Sequence, residues 1–120
     1  MFDARSVAAA FGISVEIADL GDWDAATLVA EYDPRALAIR INERALDRCR
    51  RACGALDSDD LRAFIDLAIA HELYHHREAI GDVSRLAHRA QREAAADRYA
   101  RANVRVGAGL AAFIDAETVR

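Results

Sequence analysis

Residues 61–80 read LRAFIDLAIAHELYHHREAI, and the arrangement of the rest of the chain follows from this stretch. At about 100° per residue, Leu61, Phe64, Ile65, Leu67, Ala68 and Ile69 cover one broad helical face. His71, Glu72 and His75 fall on that same face, while Arg62, Asp66 and Arg77 fall on the opposite one. Three polar groups therefore point into the packed side of a helix. Burying them without partners costs several kcal/mol, so something must satisfy them. Positions i and i+4 lie one above the other on a helix. Two imidazoles there can grip one metal ion, and Glu72 stands beside them to handle a proton. The alternative is a pair of histidines hydrogen-bonded within the core.

Outward from this helix, the chain alternates signals for helix, strand and helix again. Residues 3–11 (DARSVAAAF) predict a short helix stopped at Gly12. Residues 13–17 alternate apolar and polar and predict a strand. Leu20, Gly21 and Asp22 make a turn. Thr27 to Tyr32 predicts a second strand and Ala36 to Ile41 a third, with Asp33-Pro34-Arg35 turning the chain between them. So short a turn makes these two strands a hairpin. Asn42 is placed to cap a helix from Glu43 to about Ala55. Asp57 or Ser58 caps the central helix, which runs to about Ile80 and ends at Gly81. Asp82 or Ser84 begins another helix through about Val104, and Leu110 to Glu117 predicts a last short one. The expected fold is a single α+β domain over 1–120. A small antiparallel three-stranded sheet (about 13–41) packs against helices, and the metal-site helices span about 58–104.

Length and charge narrow the function classes. At 120 residues the chain suits one core. Its 53% hydrophobic and 30% charged content is that of a soluble globular domain. With no apolar run of about 18 residues, no membrane span is expected. The N-terminus carries Asp3 and no basic segment ahead of an apolar one, so the expected location is cytoplasmic. A net charge of −4 argues against nucleic acid as a partner. All 16 basic residues are Arg, which reads with the many alanines as a compositional bias. Cys49 and Cys53 read as buried thiols rather than as a second metal pair.

Two histidines leave a metal short of ligands, and the candidates for a third are Asp82, His88, Glu93 and Asp97. On a helix over 84–104, Leu86, Ala90, Glu93, Ala96, Asp97, Ala100 and Val104 share one stripe, with His88 about 140° from Glu93. Residues 71–75 lie roughly 9–15 Å from the turn at Gly81 and Glu93 roughly 14–17 Å, so across an antiparallel pair they meet. Asp97, a turn further on, is placed to accept the other ring N–H of His71 and fix its tautomer. Against this stand a solvated acidic edge pairing with Arg89 or Arg101, and His88 as the rival ligand.

His71-Glu72-Leu73-Tyr74-His75 followed by Glu93-Ala94-Ala95-Ala96-Asp97 resembles the gluzincin pattern, H-E-x-x-H then E-x-x-x-D. The string AIRINERAL (38–46), then IAHELYHH, then EAAADRYA resembles the ImmA/IrrE family of small metallopeptidases over roughly residues 13–104. The metzincin pattern is excluded, because it needs Gly at 78 and His at 81, where this chain has Glu78 and Gly81. The resemblance implies a zincin-like helical core and a zinc-dependent intracellular endopeptidase acting on a repressor or another regulatory protein. His71, His75 and Glu93 would hold the Zn2+, Glu72 would be the general base, and Asp97 would support His71. The expected chemistry is amide hydrolysis, with an extended substrate added along an exposed strand, 27–32 or 36–41. Tyr32, Tyr74 and Tyr99 are the candidates to stabilise the developing oxyanion, each with a packed core aromatic as its alternative. His76 reads as packed rather than ligating. Two other readings remain: a non-catalytic zinc-containing interaction module, and a SprT-like zinc hydrolase using His88.

Overall fold

The computed structural model describes residues 2–21, 29–52 and 58–118. Five helices and three strands follow in the order α1 (Ala4–Ala10), β1 (Ser14–Ala18), β2 (Ala30–Asp33), β3 (Ala38–Asn42), α2 (Glu43–Ala52), α3 (Ser58–Ala79), α4 (Arg89–Asn103) and α5 (Ala108–Thr118). The fold is α+β. Thr27, Asp22, Cys53, Ala55 and Asp57, which figure in the sequence expectations above, lie outside the described residues.

α3 is the element the others pack on; it touches α1, α2, α4, β2 and β3. Its apolar side carries Phe64, Ala68, Ile69 and Leu73, all buried. They close onto Ile39 and Ile41 of β3, Ala45, Leu46 and Cys49 of α2, and Leu110 of α5. Each fully buried Leu or Ile contributes about 1.5–3 kcal/mol of transfer free energy, so this junction outweighs any single surface contact. α1 adds Ala4 and Ala8, and begins at Asp3, whose carboxylate accepts from the Ser6 amide at 3.2 Å. No helix among the described residues is long and apolar enough to cross a membrane.

The sheet is mixed, and this corrects the expected all-antiparallel arrangement. Strand order is β1-β3-β2. β2 and β3 do form the expected antiparallel hairpin, with Tyr32 opposite Ile39 and Glu31 opposite Arg40. β1, however, lies parallel to β3, with Val15 beside Ile39 and Ala18 beside Asn42. β3 takes the centre because it is the strand that tolerates burial: Ala38, Ile39, Ile41 and Asn42 are all buried. Asn42 locks the parallel neighbour. Its Oδ1 accepts from the Leu20 amide at 3.1 Å and its Nδ2 donates to the Gly21 carbonyl at 3.0 Å, tying down the chain that leaves β1. The same Oδ1 accepts from the Arg44 amide at 3.2 Å, the capping role expected for α2. Because 38–42 is central, the third strand is not an edge of the sheet; β1 and β2 are. The hairpin turn carries a left-handed residue without being glycine, Leu37 at φ 50.

A second correction concerns α4, which starts at Arg89 and not at Asp82 or Ser84. Gly81, at φ +78, terminates α3 as expected. Asp82 is then unavailable as a cap, because its carboxylate accepts from Arg77 Nε at 2.6 Å. Arg92 Nη1 donates to the carbonyls of Leu86 and Ala87 at 3.0 and 3.2 Å, holding that segment open ahead of the helix. His88 becomes the N-cap residue, extended at φ −105 and ψ 139.

Candidate metal centre

His71-Glu72-Leu73-Tyr74-His75 lies in the C-terminal half of α3, on the side that meets α4. Helical spacing sets His71 and His75 one turn apart, with their Nε2 atoms 3.3 Å from each other. From α4, Glu93 reaches the same point: its Oε2 lies 3.3 Å from His71 Nε2 and 2.6 Å from His75 Nε2. Asp97, one turn on, accepts from His71 Nδ1 at 2.8 Å. Residue 71 thus meets 97 while 75 meets 93, so the two helices run antiparallel.

The outer nitrogens determine what the inner ones present. His71 donates from Nδ1 to Asp97, and His75 donates from Nδ1 to Glu78 Oε1 at 2.7 Å. In a neutral ring each Nε2 then carries a lone pair, and both lone pairs converge with a carboxylate oxygen. That convergence is repulsive unless a proton or a cation sits among the three atoms. In a tetrahedral zinc site with Zn–N of about 2.0–2.1 Å, neighbouring ligand atoms stand about 3.3–3.4 Å apart. The His71–His75 and His71–Glu93 separations fit that edge. The 2.6 Å contact of His75 with Glu93 is shorter and has the length of a charge-assisted hydrogen bond. The donor set of two imidazoles and one carboxylate suits zinc.

A second carboxylate stands nearby. One ligand atom each from His71, Glu72 and His75 lie within 4.8 Å of one another, so Glu72 and Glu93 contend for the third place. Distance favours Glu93, because Glu72 Oε2 approaches His71 Nε2 only to 3.8 Å. Glu72 is also 8% exposed, and burial pushes its carboxyl up to about 7, against the pull of His71 and His75. Burial would by itself push the His71 imidazolium down, but the hydrogen bonds to Asp97 and Glu93 and the nearby Glu72 charge carry it up to about 10. His75 is raised by its hydrogen bond to Glu93 against burial, with Glu78 helping. The two imidazoles hold Glu93 well below the usual carboxylate range.

No family model, curated protein or solved structure matches this chain. What the site can do therefore follows from its own atoms.

The other candidates fall elsewhere. Asp82 is engaged with Arg77, and His88 is exposed at the start of α4. Arg101 pairs with Asp115 at 3.4 Å rather than with Glu93 or Asp97. His76 is buried, and burial lowers its imidazolium; its Nδ1 lies 2.6 Å from the Tyr32 hydroxyl and its ring packs edge-on against Phe11. Tyr74 and Tyr99 pack on each other, with centroids 5.7 Å apart, and Tyr99 also meets Phe2 and the Arg77 guanidinium. Sequence reasoning passed over Glu78. The signal was present, because an acid three residues after a helical histidine lies on its face.

Proposed function

We propose that this protein is a zinc-dependent metallopeptidase with a zincin-like core, hydrolysing peptide bonds in a protein substrate. The observation that carries the reading is the convergence of His71 Nε2, His75 Nε2 and Glu93 Oε2 on one point, with the buried Glu72 carboxyl beside them. Two imidazoles and one carboxylate leave room in a four-coordinate set for water or substrate. Zinc bound there would supply Lewis acidity, polarising the scissile carbonyl and lowering the pKa of water towards about 7.

The chain's own residues do the rest. Glu72, buried beside the imidazoles, is placed to accept a proton from the attacking water and return it to the leaving amine. A site with only a structural task has no use for a buried carboxyl of that kind, which favours the hydrolase over a non-catalytic interaction module. Glu93, not His88, lies on the imidazole nitrogens, which favours the gluzincin-like ligand set over the SprT-like one. β2 is tied to the segment of α3 beside the site through Tyr32 and His76. An extended substrate adding to the β2 edge would lie on the strand that this contact joins to the site helix. The resemblance to the ImmA/IrrE family points to a regulatory protein, such as a transcriptional repressor, as the substrate class.

The test is Glu72→Gln. This variant should retain zinc at the wild-type stoichiometry and lose cleavage of a peptide library by at least about a hundredfold. Full cleavage by the zinc-loaded variant would remove Glu72 from the mechanism.

A further inference from the structure

Both histidines of the centre use Nδ1 to bond a carboxylate, but the two carboxylates differ in origin. Asp97 comes from the neighbouring helix α4 and is 56% exposed. Glu78 comes from α3 itself and its side chain is 5% exposed. Its Oε1 accepts from His75 Nδ1 at 2.7 Å, and its Oε2 is buried without a hydrogen-bond partner. A buried carboxylate with one oxygen unsatisfied is destabilising, and an apolar side chain of that shape would pack there at less cost. Among the described contacts, the only side chain Glu78 bonds is His75.

Resting on the metal-centre reading, we infer that Glu78 is a positioning residue: it holds His75 as the Nδ1–H tautomer and turns Nε2, lone pair outward, towards the point shared with His71 and Glu93. A carboxylate that accepts from the outer nitrogen also makes the inner one a stronger donor to a metal. Because Glu78 and His75 are on one helix, a turn apart, α3 alone presets this ligand. His71 and Glu93 come into register only where α4 docks.

Two variants test the assignment, with zinc as the probe. Glu78→Gln keeps an acceptor for Nδ1–H but removes the charge; Glu78→Met keeps the approximate volume and removes the acceptor. Zinc affinity is measured by competition with a chromophoric chelator, and the His75 tautomer by imidazole 15N–1H spectra of the zinc-loaded protein. Affinity should fall in the order wild type, E78Q, E78M, with the Met variant about 10–100-fold weaker. The Nδ1–H signal of His75 should persist in E78Q. E78M binding zinc as tightly as wild type overturns the inference, since a side chain that only filled space would behave that way. Should E78M fail to fold, E78Q decides: loss of its Nδ1–H signal, or affinity equal to wild type, overturns the assignment. Wild-type protein that takes up no zinc overturns the metal-centre reading itself, a result distinct from uptake that Glu78 does not affect.

Discussion

Alkaline pH should destabilise this protein only when zinc is absent. In the metal-free state His71 is raised from 6.5 to about 10 by Asp97 and Glu93 acting against burial. A histidine raised in the folded state contributes stability that is complete below its unfolded value, about 6.5, and is lost as pH climbs through the folded one. Integrating that difference from about pH 7.5 to about pH 9.5 gives a loss of about 2–3 kcal/mol. Glu93 and Asp97 are 44% and 56% exposed, so solvent screening makes this an upper bound on the His71 share, to which the likewise raised His75 adds. The window also lies above the value of about 7 to which Glu72 is raised, which keeps that group's titration out of it. Zinc requires neutral imidazoles, so the loaded protein has no such proton to lose. Its stability should rise with pH up to about 6.5, as the unfolded histidines deprotonate, and then level off. The assay is urea unfolding followed by circular dichroism, in chelator and in buffered free zinc, at several pH values. An alkaline fall of the same size in both series would mean that the histidines are a hydrogen-bonded pair and not a metal centre.

Further outcomes follow from the same contacts. Glu93→Ala should weaken zinc binding by more than the roughly 10–100-fold that loss of an outer partner costs, whereas His88→Ala should leave it unchanged; chelator competition measures both. On the acid side, the depressed Glu93 carboxyl contributes stability above about pH 4.5 that is lost as pH falls further, and Glu93→Gln should flatten that limb of the metal-free curve. Leu37 holds φ 50 and is 41% exposed, so Leu37→Asn should raise the urea midpoint, with a gain of about 1 kcal/mol; a lowered midpoint would mean that its exposed side chain packs more than its exposure suggests.

Most of the helical framework was readable because its punctuation is local. Gly12, Asn42 and Gly81 act where their chemistry says they should, while Asp3, read as the first helical residue, is the cap before α1. The meeting of Glu93 and Asp97 with the two histidines also follows from phase, since four-residue spacing fixes a face wherever the helix begins. What was not readable depends on competition between distant groups. Asp82 looks like a cap until Arg77 takes its carboxylate, and the helix then starts seven residues later than its earliest expected cap. Alternation in 13–17 tells which side chains share a face but not which strand lies alongside. The parallel pairing of β1 with β3 is a backbone ladder braced at its end by the Asn42 side chain, whose partners at Leu20 and Gly21 are far away in sequence. Glu78 was read only as a departure from the metzincin pattern, and its bond to His75 depends on side-chain rotamers that spacing does not fix.

The buried side chains of α4 are Ala95, Ala96 and Ala100, three methyl groups worth about 0.8 kcal/mol each. Tyr99, half-buried, adds its ring against Tyr74 of α3, and the carboxylates of Glu93 and Asp97 share with these contacts the fastening of the helix to its neighbour. If zinc occupies the centre, a chelator should then loosen this helix, with amide exchange quickening along 89–103 while the strands of the sheet keep their protection. On the proposed function, metal uptake and the seating of that helix would be switched together by one ion.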